Sequence, residues 1–149
     1  LNTNVNNNPT AALDPNQDLI VSNTDNYVKI MFRDDMMFET NSENPTYAAG
    51  TKISKITTVL QKYPNTLVQV VGHTDSRGTH AYNLVLSEKR ATNVGNIINS
   101  TGVQNQIFSK GCSFDKPIAL NNSVANMGLN RRVEVYLYPN QQSVIDVCR

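Results

Sequence analysis

The sequence predicts an α+β fold: a two-layer sandwich in the order β-α-β-α-β-β, a mixed sheet with helices on one face. Three observations predict it. Short apolar runs at "VKIMF", "LVQVVG" and "RRVEVYLY" have strand length and strand composition. Two longer stretches, one ending at Tyr63 and one running from Ala81 to about Ser100, repeat apolar residues at helical spacing. The two kinds of segment alternate before the chain closes on two consecutive strands, which favours a sheet with helices packed on it over two separate layers of one kind. With 149 residues and 39% hydrophobic content, the chain is long enough to bury one core.

The opening "LNTNVNNNPTAALDPNQ" is rich in Asn, Thr and Pro without usable periodicity. Burial there cannot offset the entropy of ordering, so residues 1–26 read as a flexible tether, 27–139 as the domain and 140–149 as a tail. Val28, Ile30 and Phe32 alternate with Lys29, Met31 and Arg33, the pattern of a half-buried strand. Asp34 and Asp35 interrupt it before "MMFET" resumes the apolar stretch. Ser42 or Asn44 supplies an N-cap, and Pro45 suits a first helical turn. Ala49, Ile53, Ile56, Leu60 and Tyr63 then mark one helical face, ended by Pro64. "LVQVVG" reads as a short buried strand, and the second helix stops at Gly102. "QIFSKG" is a further strand, and "CSFDKPIALNNSVANMGLN" a long polar loop. "RRVEVYLY" is the last strand, broken by Pro139. No internal repeat is present.

Charge and composition narrow the function. A formal charge of +1 offers no general attraction to nucleic acid, acidic lipid or other polyanions. No apolar run approaches the roughly 20 residues that span a bilayer, and the start has no signal-peptide pattern. Membrane association is therefore expected only through an anchor outside this chain. Cys112 and Cys148 permit one disulfide without requiring it, and they lack the close spacing of a zinc or redox pair.

One residue is out of place. With residues 82 to 98 set at about 100° per residue, Leu86, Ala91, Val94, Ile97 and Ile98 fall within an arc of roughly 140°. Arg90 and Asn83 lie in the middle of that arc, with Ser87 beside them. A guanidinium facing the sheet needs a partner, because desolvating a charge is repaid only by opposite charge and hydrogen bonds. By chain topology the nearest candidate is Asp75, just past "VVG", at the carboxyl end of a strand where ligands collect in layered sheets. Arg131 shares parity with Val133, Val135 and Leu137, which puts it on the helix-covered face at the strand entrance. Arg132, Glu134, Tyr136 and Tyr138 share the other face. Two readings are open. In one, Asp75 and Arg90 form a structural salt bridge. In the other they line a pocket for a zwitterion, the carboxylate taking an ammonium and the guanidinium fork a carboxylate, as at the end of an amino acid.

"GHTDSRGTHAYNLVLSEKRATNV", "SKGCSFDKPIALN" and "NRRVEVYL" together resemble the OmpA-like peptidoglycan-binding domain family over about Val28 to Tyr138. His-Thr-Asp followed at fixed offsets by Tyr-Asn, Leu-Ser and Arg-Ala carries the resemblance. It implies an OmpA C-terminal-like fold and non-catalytic binding of the peptide stem of the cell wall, chiefly its diaminopimelate residue. The implied setting is the periplasm, with a tether to the outer membrane, no cofactor, and peptidoglycan and other envelope proteins as partners. An alternative role is that of a structural subunit in a secretion or motor assembly, with a relaxed pocket. By position, Asp75 resembles the family's acid for the ammonium, Arg90 its base for the carboxylate, Asn83 a pocket asparagine, and Arg131 the first arginine of "NRR". Two positions depart. The family's Phe-Asp before the first helix is Phe38-Glu39 here, leaving Glu39 as a longer acid for the ammonium, and a family Gly-Arg aligns with Asn126 and Met127.

Other chemistries compete less well. His73, Asp75 and His80 are adequate metal ligands, but the family pattern makes His73 structural and does not fix His80, so no metal is expected. Cys112 as a nucleophile would need a base that its polar loop does not supply nearby. A Cys112–Cys148 disulfide would tack the tail to the last loop in an oxidising periplasm. Tyr136 and Tyr138 are either ordinary strand residues or part of a partner surface.

Overall fold

The computed structural model describes residues 19–139 and 144–149. Along the chain run β1 (Leu19–Asn23), β2 (Val28–Arg33), α1 (Asp34–Met37), α2 (Tyr47–Lys62), β3 (Leu67–His73), α3 (His80–Ser100), β4 (Ile107–Gly111), α4 (Val124–Asn130) and β5 (Arg132–Tyr138). The strands lie in the order β1-β2-β5-β3-β4. β3 and β4 are parallel, joined by α3, and the other neighbours are antiparallel. The mixed α+β sheet expected from the sequence is present.

Three local expectations are corrected. Within the stretch 1–26 assigned to a tether, residues 19–23 instead form an edge strand that pairs with β2 from Leu19↔Phe32 to Asn23↔Val28. The turn between them is closed by Thr24, whose hydroxyl accepts the N–H groups of Asn26 and Tyr27. The part of that tether before residue 19 lies outside the described residues. The expected long polar loop contains α4, started by Ser123, whose hydroxyl accepts Asn126 N–H at 3.1 Å. Neither Ser42 nor Asn44 caps α2. Thr46 does, accepting Ala49 N–H at 3.3 Å, while Pro45 pairs with Phe38 in an isolated bridge.

The helices α2 and α3 bury one apolar face against the sheet. Ile53, Ile56 and Leu60 of α2 and Ala91, Val94 and Ile98 of α3 pack with Phe32, Val70 and Val135 in a single core. Two glycines set how closely α3 lies. Gly72 and Gly111 are register partners on β3 and β4. A Cβ on Gly72 would stand 2.2 Å from the Ser87 carbonyl oxygen, and one on Gly111 2.4 Å from Glu88 N. Side chains there would push the helix off the sheet beside the loop that carries Asp75. Gly102, in the left-handed region at φ 86°, stops α3 as its position predicts.

The other sheet face is not bare. Leu67, Val71, Tyr136 and Tyr138 pack with Cys112 and Val147, and the Cys112–Cys148 disulfide is formed, closing a separation of 36 residues. Both tyrosines are buried, so the partner-surface reading of Tyr136 and Tyr138 is overturned. Tyr136 donates to Glu134 and Tyr138 to Gln69, as buried phenols require.

Candidate functional site

β3 ends at His73, and two residues later Asp75 is held at 4% exposure. Its Oδ1 accepts the Arg77 N–H at 2.9 Å, a local turn that bends the chain toward α3. Gly78 completes the bend at φ 84°, and Thr79 caps the helix by accepting Tyr82 N–H. Asn83 braces this loop from inside: its amide donates to the carbonyls of Arg77 at 2.7 Å and Thr79 at 3.0 Å. It therefore shapes the site through the backbone.

Arg90 points inward from α3, as the helical wheel requires, and its side chain is 5% exposed. Its Nε donates to the Ser42 carbonyl at 2.8 Å, and its guanidinium lies 4.7 Å above the Phe38 ring. Its charged partner is Asp34, with Nη1 to Oδ1 at 2.5 Å, and not Asp75. The expected direct Asp75–Arg90 pair is thus corrected: Asp34 and Arg131 stand between them. Arg131 Nε approaches Asp34 Oδ2 at 3.6 Å, and its Nη1 donates to Asp75 Oδ2 at 2.7 Å. Arg131 is the residue that ends α4, ahead of the strand instead of within it, and its carbonyl accepts the Asp34 N–H at 3.0 Å. At the outer end Arg77 reaches back to Asp75, with Nη2 to Oδ2 at 2.8 Å. The result is an alternating chain, Arg77–Asp75–Arg131–Asp34–Arg90, with one positive charge in excess.

The electrostatics differ between the two acids. Burial pushes Asp75 up, but hydrogen bonds from the Arg77 side chain and amide and from Arg131 outweigh it and hold the carboxyl below its ordinary range. At Asp34 burial prevails: the carboxyl is raised, with Arg90 and Arg131 opposing the shift only in part. Arg90 is lowered by burial, against the pull of Asp34.

Of the residues singled out in the sequence, Asp75, Arg90 and Arg131 converge, and Asn83 supports them. Glu39 does not join them. It is exposed, and its carbonyl accepts Ser42 N–H at 2.9 Å. Asn126 bonds Asn122 within its own segment. His73, His80 and Asp75 face three different partners, with His73 on Glu134 and His80 on Asp115. Sequence reasoning missed Asp34 and Arg77. Their signals were available, an acidic pair breaking an apolar run and an arginine two residues after Asp75, but both are ordinary surface patterns taken alone.

The model of the OmpA family matches residues 37–131. The chain belongs to the OmpA family. It is 36% identical to the probable lipoprotein YiaD of Escherichia coli over 68% of this chain and 47% of that protein. Among solved structures, the cell wall anchor of the T6SS from Pseudomonas aeruginosa superposes with TM-score 0.75 at 28% identity, over 82% of this chain and 88% of that one. The peptidoglycan-associated lipoprotein of Burkholderia pseudomallei gives TM-score 0.63 at 28% identity, over 68% and 87%. The chain spans less than half of YiaD and 29% of the outer membrane porin F of Pseudomonas aeruginosa, to which it is also similar. No helix of the described residues is long and apolar enough to cross a membrane.

Proposed function

We propose that this OmpA-family chain binds peptidoglycan peptide stems without cleaving them and so anchors an envelope protein or complex to the cell wall. The observation that carries this is the alternating chain of charges at the carboxyl end of β3. A group bearing an ammonium and a carboxylate on one carbon, as diaminopimelate does, can insert into such a chain with no net change of charge. In this reading Asp75 takes the ammonium, Arg90 and Arg131 take the carboxylate, and Asn83 holds the loop. Glu39 reaches the ligand only from the rim. Two charge-assisted contacts at about 1.5–3 kcal/mol each, less the cost of association, leave a single stem with a weak affinity, on the order of millimolar or weaker. Many stems and several anchored copies convert that into firm attachment. The likeness to a T6SS cell wall anchor supports a place within a larger envelope assembly, and the likeness to an outer membrane porin supports a tether at the outer membrane, facing the periplasm.

Sedimentation with purified sacculi tests this. Asp75→Ala and Arg90→Ala should each lower the bound fraction at least tenfold at 0.1 M salt, with circular dichroism showing the fold intact. Unchanged sedimentation of both folded variants overturns the ligand role. It would leave a scaffolding role within the assembly, with the pocket unused.

A further inference from the structure

The Asp75 carboxylate has no room for a new donor. A carboxylate offers about four lone-pair sites. Here Oδ1 accepts the Arg77 N–H at 2.9 Å, Oδ2 accepts Arg77 Nη2 at 2.8 Å and Arg131 Nη1 at 2.7 Å, and Arg77 Nε is shared between Oδ1 at 3.3 Å and Oδ2 at 3.2 Å. A ligand ammonium must therefore displace something already bound.

The two guanidinium groups are not equally held. Arg131 is 28% exposed, spans both Asp75 and Asp34, and is fixed at its backbone by the Asp34 N–H. The Arg77 side chain is 64% exposed and grips Asp75 alone, from a loop whose residues 76–80 are all exposed. Arg77 can swing into water and be solvated there at once. Its amide stays on Oδ1, and its carbonyl stays on Asn83, so the loop does not have to move. We propose that the Arg77 side chain is a releasable cap on Asp75, a built-in guanidinium that a ligand's ammonium must displace to bind. This rests on the ligand role proposed for Asp75. The cap has a use: a simple amine gains only what Arg77 gives up, whereas a zwitterion also gains Arg90 and Arg131. The cap thereby raises the threshold equally for every ligand with an ammonium, and only one with both groups has further contacts to offset it. Exposed ion pairs are weak, so displacement lowers affinity only about fivefold.

The probe is free meso-diaminopimelate, with cadaverine as the amine lacking carboxylates, titrated by NMR into wild type, Arg77→Ala and Arg77→Lys. Arg77→Ala should bind diaminopimelate about fivefold tighter, with Arg77→Lys between it and wild type. Cadaverine displaces the same cap and should gain by the same factor. In wild type, the Arg77 Nε–H signal should move to its free position at saturation. Equal or weaker binding by Arg77→Ala at unchanged melting temperature, or an Arg77 Nε–H still held in the complex, overturns the cap. In that case wild-type binding lost in Asp75→Asn leaves the ligand role standing. Absence of binding to wild type and Arg77→Ala alike overturns both.

Discussion

His73 and Glu134 form the centre of a second charged group on the sheet face away from the site. His73 Nε2 donates to Glu134 Oε1 at 2.9 Å, Arg132 Nε donates to Oε2 at 3.0 Å, and Lys29 stands 3.8 Å away. Burial depresses the His73 pKa despite its bond to Glu134, and Arg132 and Lys29 push the same way. Glu134 is held well below its usual range: burial opposes this, but the His73 bond and the Arg132 charge prevail. A depressed histidine is neutral in the folded chain while the unfolded chain takes up a proton below about pH 6.5. Its stabilisation is therefore complete above that pH and declines as pH falls. Urea melts should show wild type losing about 1–2 kcal/mol between pH 7 and pH 5 beyond any loss in His73→Gln. Equal slopes would refute it. At this scale the sequence disclosed Arg90 and Asp75 well, because periodicity and strand ends are local properties. It did not disclose that Asp34 intervenes, since that depends on the start of α1 meeting α3 across 56 positions of chain.

The element that decides the site is α3, and its seat depends on the paired glycines. Gly72→Ala places a methyl against backbone, which a flexible neighbour cannot relieve. Overpacking of this kind costs about 1–3 kcal/mol. The variant should lose that much stability in urea and also bind sacculi less well, because Arg90 and Asn83 ride on the helix that moves. A loss of stability with sacculus binding untouched would show that the site tolerates the displacement. The helix itself was legible: its inward Asn83, Ser87 and Arg90 are all buried, as the wheel requires. β1 and α4 were not. "LIVSN" is too short to alternate visibly, and it becomes a strand by pairing with β2. α4 has seven residues, three of them Asn or Gly, and is held by Asn130, which binds Ile118 and Ala119 N–H groups across the loop. Tertiary bonds override propensity in both.

For the molecule as a whole, the disulfide joins the tail to the sheet beside Gly111, next to the loop of the site. A closed loop of this size contributes about 4 kcal/mol by restricting the unfolded chain. Replacing both cysteines by serine should lower the urea midpoint accordingly and release Val147 from Tyr136 and Tyr138. Stability unchanged within about 1 kcal/mol would mean that the tail packs without its bond. The sheet register has a further consequence. Leu19 pairs with Phe32, and Arg33 and His73 both pair with Arg132, so β1 begins at the same end of the sheet as Asp34 and Asp75. Three strand spacings, about 15 Å, separate that start from β3. Were Asp75 to hold a wall stem as proposed, tension between it and the chain entering at Leu19 would run across the strands. The core would be spared, and β1 would peel from β2 one hydrogen-bonded rung at a time. An edge loaded this way would yield gradually, leaving the site around Asp75 intact.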